Sequence, residues 1–145
     1  MRLLIQRVSQ AEVTVQSEVV GSIGKGLLVF LGIHKNDDES KIPFLVQKLV
    51  HLRIFSDAAG KMNLSLLDMQ GEVLLVSQFT LYGNCMEGRR PDFFSAAPPD
   101  RAKELYEVFI EQVKKEAGKV ATGVFGAEMQ VHLVNDGPVT FIVEN

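Results

Sequence analysis

The chain has 145 residues, 46% hydrophobic and 23% charged, which predicts one globular domain spanning residues 1–145. The formal net charge of −3 excludes a general nucleic-acid binder held by long-range attraction, so any RNA binding requires a local basic patch or a shape-selective pocket. A single cysteine, no signal-peptide pattern and no apolar run of roughly 20 residues lead us to expect a cytoplasmic protein that does not span a membrane.

The first third of the chain reads as β-structure. A short strand at residues 3–8 is followed by an alternating segment at 13–15, a glycine-rich turn at 21–26 and a continuous apolar strand at 27–33. The turn resembles a phosphate-binding loop only superficially, because Lys25 is followed by Gly26 and a strand rather than by Ser or Thr and a helix. A plain hairpin turn is the favoured interpretation.

The next segment changes to helical periodicity, with Pro43 acceptable only if it lies in the first turn. The apolar face of this first helix consists of Ile42, Leu45, Val46, Leu49 and Val50. Residues 57–60 then form a turn, and residues 73–76 form a buried strand that runs directly into Ser77.

A long irregular loop is predicted at residues 83–100, and loops of this length are often functional. Asp100 is the expected N-cap of a second helix, which packs through Leu105, Phe109 and Val113 and ends at Gly118.

Beyond the second helix, strand alternation returns at residues 129–133. Asp136 and Gly137 are expected to turn the chain before a last strand at 139–143. The elements together predict an α+β fold, in which two helices cover a strongly curved and mostly antiparallel sheet.

Two polar segments stand out against this framework. Ser77, Gln78, Phe79 and Thr80 follow a buried strand, where backbone N–H groups that leave the ladder can form an oxyanion hole or simply bond to neighbouring carbonyls. The second segment, residues 135–140, places a proline where a return strand should pair. Its Gly-Pro bond is a place where a cis peptide is inexpensive, although an ordinary irregular turn is the simpler interpretation.

Other candidate groups carry weaker signals. The three histidines match no metal-binding spacing, so we expect no metal and no cofactor. Cys85 has no evident activating base, although a cysteine hydrolase remains an alternative. Arg89 and Arg90 form a basic pair that is either a solvated turn or a set of phosphate contacts.

Taken together, the two polar segments resemble the signature motifs of the D-aminoacyl-tRNA deacylase family, SQFTL at residues 77–81 and NxGPVT at residues 135–140. The resemblance covers the whole chain. The further matching segments lie at 4–8, 53–57, 60–63, 90–91, 105–106 and 123–129. The family often carries a basic residue just before Gly88, whereas this chain has Glu87.

The resemblance implies a homodimer with active sites at the interface, hydrolysing the ester between a D-amino acid and the terminal adenosine of tRNA. By that resemblance, the N–H groups of Phe79 and Thr80 hold the ester carbonyl, and Ser77 and Gln78 position the adenosine or the ester. Gly137 and Pro138 form a cis bond that reaches the partner's site and excludes L-amino acids through its carbonyl groups.

Two further consequences follow from the resemblance. Phe125 and Met129 line the adenine pocket, and glycyl-tRNA, including glycine mischarged on alanine tRNA, is also a substrate because glycine has no side chain to reject. The group that activates water is either the Thr80 hydroxyl or the 2′-hydroxyl of the tRNA, and the second is favoured because Thr80 has no evident base. The alternative to an enzyme is a non-catalytic module that binds a nucleotide or an RNA 3′ end.

Overall fold

The computed structural model describes all 145 residues and contains eight strands and two α-helices. In chain order these are β1 (Arg2–Val15), β2 (Glu18–Ile23), β3 (Gly26–Gly32), α1 (Ile42–His51), β4 (Phe55–Ser56), β5 (Met62–Leu64), β6 (Glu72–Ser77), α2 (Pro99–Glu116), β7 (Lys119–Thr122) and β8 (Gln130–Glu144). Two short 3-10 turns lie at Glu39–Lys41 and Phe79–Tyr82.

The main sheet is built around β1. This strand pairs antiparallel with β3 along its first half, with β2 along its second half and with β8 on its other side. β6 pairs in parallel with both β3 and β7, because the connections between these strands contain α1 and α2 as crossover helices. The predicted α+β class with a curved, mostly antiparallel sheet is confirmed, with these two parallel pairings added.

The sheet curves until its two ends meet. A Cβ atom placed on Gly21 of β2 would lie 2.4 Å from the carbonyl oxygen of Thr122 in β7. Only glycine permits this close approach of two backbones, so Gly21 allows β2 and β7 to come together and the sheet is nearly closed.

The core lies on both faces of the curved sheet. One face packs against α1 and α2, and the apolar faces predicted for the two helices are buried there, with Pro43 in the first turn of α1. The opposite, concave face holds a smaller cluster of seven buried residues, namely Val8, Ala11, Val13, Ile23, Leu28, Leu74 and Val76. Neither helix combines the length and the apolar character required to cross a membrane.

Three predicted boundaries are wrong. The turn predicted at 21–26 is shorter, because β2 continues to Ile23 and only Gly24 and Lys25 separate it from β3. Asp100 is not the N-cap of α2, since Pro99 already begins the helix with a φ angle suited to its first position. The same helix ends at Glu116 because the buried Ala117 turns to an extended conformation before Gly118 is reached.

The predicted turn at Asp136 and Gly137 does not reverse the chain. β8 pairs with the same strand β1 on both sides of this segment, with Asn135 opposite Val8 and Thr140 opposite Gln6. The four residues 136–139 therefore form an excursion within one continuous strand, because Pro138 has no N–H to pair and the register shifts around it.

Candidate active site

A cavity opens beside the carboxyl end of β6, with a volume of about 560 Å³, within the range expected of small-molecule sites. Its wall is mostly apolar, and polar groups are concentrated where β6 ends. The lining residues that sequence analysis selected are Ser77, Gln78, Phe79, Phe125 and Met129. Five of the eight predicted site residues therefore meet at one cavity, although they come from two distant parts of the chain.

Two backbone N–H groups lie free at the edge of this cavity. The Gln78 N–H donates to the Leu31 carbonyl at 2.8 Å, which completes the last ladder bond between β6 and β3. The chain then enters the Phe79–Tyr82 turn, in which the N–H groups of Phe79 and Thr80 have no acceptor within the protein. The first N–H groups of any helical turn lack partners within it, so these two can donate to a ligand.

The Thr80 side chain lies outside the cavity lining and is exposed. Its hydroxyl oxygen accepts a hydrogen bond from the Gln78 side-chain amide. No carboxylate or imidazole is hydrogen-bonded to that hydroxyl, and accepting a bond from an amide makes an oxygen a weaker nucleophile. The arrangement therefore orients the side chains of the turn and provides no general base.

Aromatic side chains shape two parts of the cavity lining. The exposed Phe79 and Phe93 rings meet edge to face with their centroids 5.0 Å apart. In another part of the lining, Phe125 packs on the buried Tyr106 of α2, whose hydroxyl donates to the Leu75 carbonyl at 2.9 Å. Burial raises the pKa of Tyr106 above its ordinary value of 10, so it remains a neutral donor that fixes the cavity wall.

Gly137 and Pro138 lie elsewhere in the chain. They do not line the cavity, both are exposed, and the peptide bond between them is cis. The neighbouring Asn135 side chain donates to the carbonyls of Arg7 and Val139, at 3.1 and 3.2 Å. The segment is thus well fixed to β1, and it does not contribute to the cavity of this chain.

The sequence reasoning missed several cavity residues. Phe93 and Ala97 belong to the long loop, and Ile33 directly follows β3. Leu31, Val76 and Val131 lie in β3, β6 and β8, where the sequence predicted strands and no site. Two adjacent aromatic residues in the loop, Phe93 and Phe94, were the one available signal, and only Phe93 lines the cavity. The others are ordinary apolar residues that become cavity wall because the fold brings the ends of β3 and β6, the long loop and residues 125–131 together.

The remaining candidate groups lie on the surface. Residues 84–92 form a loop whose ends are joined by two backbone hydrogen bonds between Asn84 and Asp92. Arg89 and Arg90 are exposed on this loop and make no ion pair, and Cys85 is exposed and free. No three His, Cys, Asp or Glu side chains are placed together as metal ligands.

These features define a small α+β domain with a nucleoside-sized, mainly apolar cavity and free backbone donors at its edge. Comparison with known proteins identifies the class more closely. The family model described as D-Tyr-tRNA(Tyr) deacylase matches residues 4–144, and the chain belongs to this family.

The curated relatives match over almost their whole length. A D-aminoacyl-tRNA deacylase from Thermosipho melanesiensis is 56% identical over 146 residues, covering 100% of this chain and 97% of the relative. A protein of the same name from Protochlamydia amoebophila is 57% identical and is covered to 96%. The predicted family is confirmed at this level of identity.

Two solved structures share the fold. One, titled c-Myc DNA Unwinding Element Binding Protein, has a TM-score of 0.95 and 42% identity, covering 100% of this chain and 99% of its own. The other, titled as a probable eukaryotic D-amino acid tRNA deacylase, has a TM-score of 0.85, covering 98% of this chain and 97% of its own. Because this second structure is only 20% identical in sequence, the comparison with it shows the fold and nothing about activity.

Proposed function

We propose that this protein hydrolyses the ester bond of D-aminoacyl-tRNA in the cytoplasm, releasing the D-amino acid and free tRNA. The curated relatives that bear this activity in their name are 56–57% identical over the whole chain. The removal of wrongly charged D-amino acids is a proofreading reaction of translation, and the substrate end that the enzyme must bind is an adenosine carrying an aminoacyl ester.

One observation carries the proposal. The free N–H groups of Phe79 and Thr80 lie beside a cavity large enough for an adenosine and lined by Phe125 and Met129. An ester carbonyl placed at those donors would be stabilised as negative charge develops on its oxygen. Apolar walls next to such donors suit a base that stacks and an ester that reacts at the cavity edge.

The attacking water needs an activating group that this chain does not provide. The Thr80 hydroxyl accepts a bond from Gln78 and has no base beside it. We therefore assign water activation or positioning to the 2′-hydroxyl of the terminal ribose, which lies next to the ester in the substrate itself. Ser77 and Gln78 would then position the adenosine or the ester.

Selection against L-amino acids is assigned to the carbonyl groups of Gly137 and Pro138. Carbonyls that are fixed by surrounding contacts reject a side chain by steric exclusion, and they leave glycine unaffected because it has no side chain. Glycyl-tRNA, including glycine mischarged on alanine tRNA, is accordingly a proposed second substrate. To exclude L-amino acids, the carbonyls of Gly137 and Pro138 must lie next to an ester that is bound by the N–H groups of Phe79 and Thr80.

The two segments are separated within one protomer, so the proposal requires a homodimer. β8 pairs with other strands on one side only, and its exposed residues include Val134, Phe141 and Ile142. An exposed edge strand of this length with apolar side chains is a surface suited to a second copy. The partner's Gly137 and Pro138 would then complete the cavity of the first protomer.

The tRNA body needs further contacts beyond the terminal adenosine. The loop at 84–92 precedes Phe93, which is part of the cavity edge, and it presents Arg89 and Arg90 without intramolecular partners. We assign phosphate contacts of the tRNA 3′ strand to these two arginines, since guanidinium groups match phosphate geometry.

Release of tRNA under multiple turnover tests the proposed activity. D-tyrosyl-tRNA in excess over protein should be deacylated to completion at a rate proportional to protein concentration. A binding module, the second candidate, would form a stoichiometric complex and leave the ester intact. A thiol-blocking reagent added to the same assay should leave the rate of tRNA release unchanged. Loss of activity on adding the reagent would assign the chemistry to Cys85.

A further inference from the structure

Arg2 contacts the back of the Phe79–Tyr82 turn. Its Nη1 donates to the Leu81 carbonyl at 2.5 Å, and its guanidinium lies over the Tyr82 ring, 4.8 Å from the centroid. The Nη2 atom pairs with both carboxylate oxygens of Glu144 at 3.0 and 3.2 Å. One side chain on β1 therefore joins the turn to the end of β8.

Backbone hydrogen bonds hold the Phe79–Tyr82 turn together, so that a contact at one end affects the whole turn. The Leu81 N–H donates to the Gln78 carbonyl, and the Gly83 N–H donates to the Thr80 carbonyl. These bonds make the turn short and compact, with the free N–H groups at one end and the Leu81 carbonyl at the other. A displacement of Leu81 would therefore be transmitted to the donors of Phe79 and Thr80.

The other residues packed against the Phe79–Tyr82 turn do not replace the contact that Arg2 makes with it. Gly32 of β3 lies so close that a Cβ there would be 2.9 Å from the Leu81 Cβ. The Tyr82 ring also meets His34 edge to face, with centroids 5.2 Å apart. These neighbours provide apolar contact but no hydrogen bond to the Leu81 carbonyl, and Arg2 is the group that supplies one.

We propose that Arg2 is a positioning residue for the hydrolysis, which acts through the Phe79–Tyr82 turn and touches no reacting atom. This inference rests on the proposed function, because it gives the turn the task of holding the ester carbonyl. By fixing Leu81 and Tyr82, Arg2 keeps the two free N–H groups at the distance and direction that the developing oxyanion requires.

The contacts of Arg2 contribute more to the position of the Phe79–Tyr82 turn than to the stability of the fold. Its ion pair with Glu144 is between partly exposed side chains, and such pairs add little to folding stability. Its Nε is buried without an acceptor, which opposes folding. Loss of the side chain should therefore affect the rate of reaction more than the stability of the fold.

The test compares Arg2→Ala, Arg2→Lys and the control Glu144→Gln in D-tyrosyl-tRNA hydrolysis and thermal unfolding. Arg2→Ala should lower kcat roughly tenfold to hundredfold, because a displacement of about 1 Å at a reacting centre has an effect of that order, with KM changed by less than about twofold. Arg2→Lys should recover part of the rate. Glu144→Gln should retain kcat within about twofold, since the contacts with Leu81 and Tyr82 remain.

Tyr82→Leu provides a second measurement in case Arg2→Ala does not fold, and it should also lower kcat with little change in KM. The inference is overturned if folded Arg2→Ala or Tyr82→Leu protein keeps the parental kcat. It is equally overturned if Glu144→Gln loses as much rate as Arg2→Ala, or if the loss follows the unfolded fraction. Failure of the proposed function is a separate result, because the parental protein would then release no tRNA.

Discussion

The Arg7 side chain contacts Asp136 at both its backbone and its carboxylate. Its Nε donates to the Asp136 carbonyl at 3.0 Å and lies 2.9 Å from the carboxylate oxygen Oδ2. Its Nη1 donates to the Ile54 carbonyl at 2.6 Å, and the residue is only 7% exposed. The excursion that carries Gly137 and Pro138 is thereby attached to the interior of the fold.

Arg7→Ala should consequently loosen the 136–139 segment and lower discrimination between D and L substrates. It removes hydrogen bonds of a charged donor, which corresponds to about 1.5–3 kcal/mol of stability. We expect L-tyrosyl-tRNA hydrolysis to rise relative to D-tyrosyl-tRNA hydrolysis in an assay of both esters. Arg101→Ala, which removes an exposed ion pair on α2, is the matched control and should change neither quantity. An unchanged D-to-L ratio in folded Arg7→Ala protein would separate the Arg7–Asp136 contact from specificity.

Thr80 allows its backbone donor and its hydroxyl to be tested separately. Thr80→Pro removes the N–H, whereas Thr80→Ala keeps the N–H and removes the hydroxyl. Pro43 already occupies the first turn of α1, so the first turn of a helical segment can accept proline. We expect kcat for D-tyrosyl-tRNA to fall about 10²–10³-fold in Thr80→Pro, as for loss of one oxyanion donor.

Thr80→Ala should retain kcat within about tenfold, because the proposed mechanism does not use the hydroxyl as a nucleophile. Circular dichroism and thermal unfolding of both variants provide the control for folding. The reverse pattern, an inactive alanine variant beside an active proline variant, would assign the chemistry to the hydroxyl and contradict the proposed role of the backbone.

Arg89 and Arg90 should contribute to tRNA binding and not to chemistry. The double alanine variant should raise KM for D-tyrosyl-tRNA while kcat stays unchanged. The slope of log affinity against log salt concentration should decrease by about 1–2 in magnitude, since each phosphate contact releases counterions. A double alanine variant at Lys114 and Lys115, at the end of α2, provides a matched loss of two positive charges. Equal effects of the two double variants would show that only net charge matters.

The proposed dimer can be disrupted at Ile142, which is 63% exposed on β8. Ile142→Glu should leave the protomer folded, because the side chain makes no part of either buried cluster. Light scattering should give twice the 16.0 kDa chain mass for the parental protein and a single chain mass for the variant. Activity should be lost together with the dimer, and a fully active monomer would show that one protomer contains a complete site.

Hydrophobic periodicity in the sequence was sufficient to predict the two helices and the apolar strands. Leu105, Phe109 and Val113 are buried in α2 as their spacing predicts. The parallel pairing of β3 with β6 was not predicted, although strands alternating with helices in this part of the chain favour crossover connections.

The candidate site was predicted in part. The polar segment that follows a buried strand was recognisable in the sequence. Two of its members, Ser77 and Phe79, do line the cavity. The 136–139 segment looked like a hairpin because Asp-Gly favours tight turns, but continued pairing of β8 with β1 outweighed the local preference. Leu31 and Val131 could not be distinguished from core residues, because a cavity formed by distant segments depends on the tertiary fold.

The central claim is that this protein removes D-amino acids, and not L-amino acids, from tRNA. The most direct measurement is the ratio of kcat/KM for D-tyrosyl-tRNA and L-tyrosyl-tRNA, determined side by side with one protein preparation and corrected for spontaneous ester hydrolysis. We predict efficient release from the D-ester and no protein-dependent release from the L-ester. A ratio near one, or the absence of release from both esters, would contradict the proposed function.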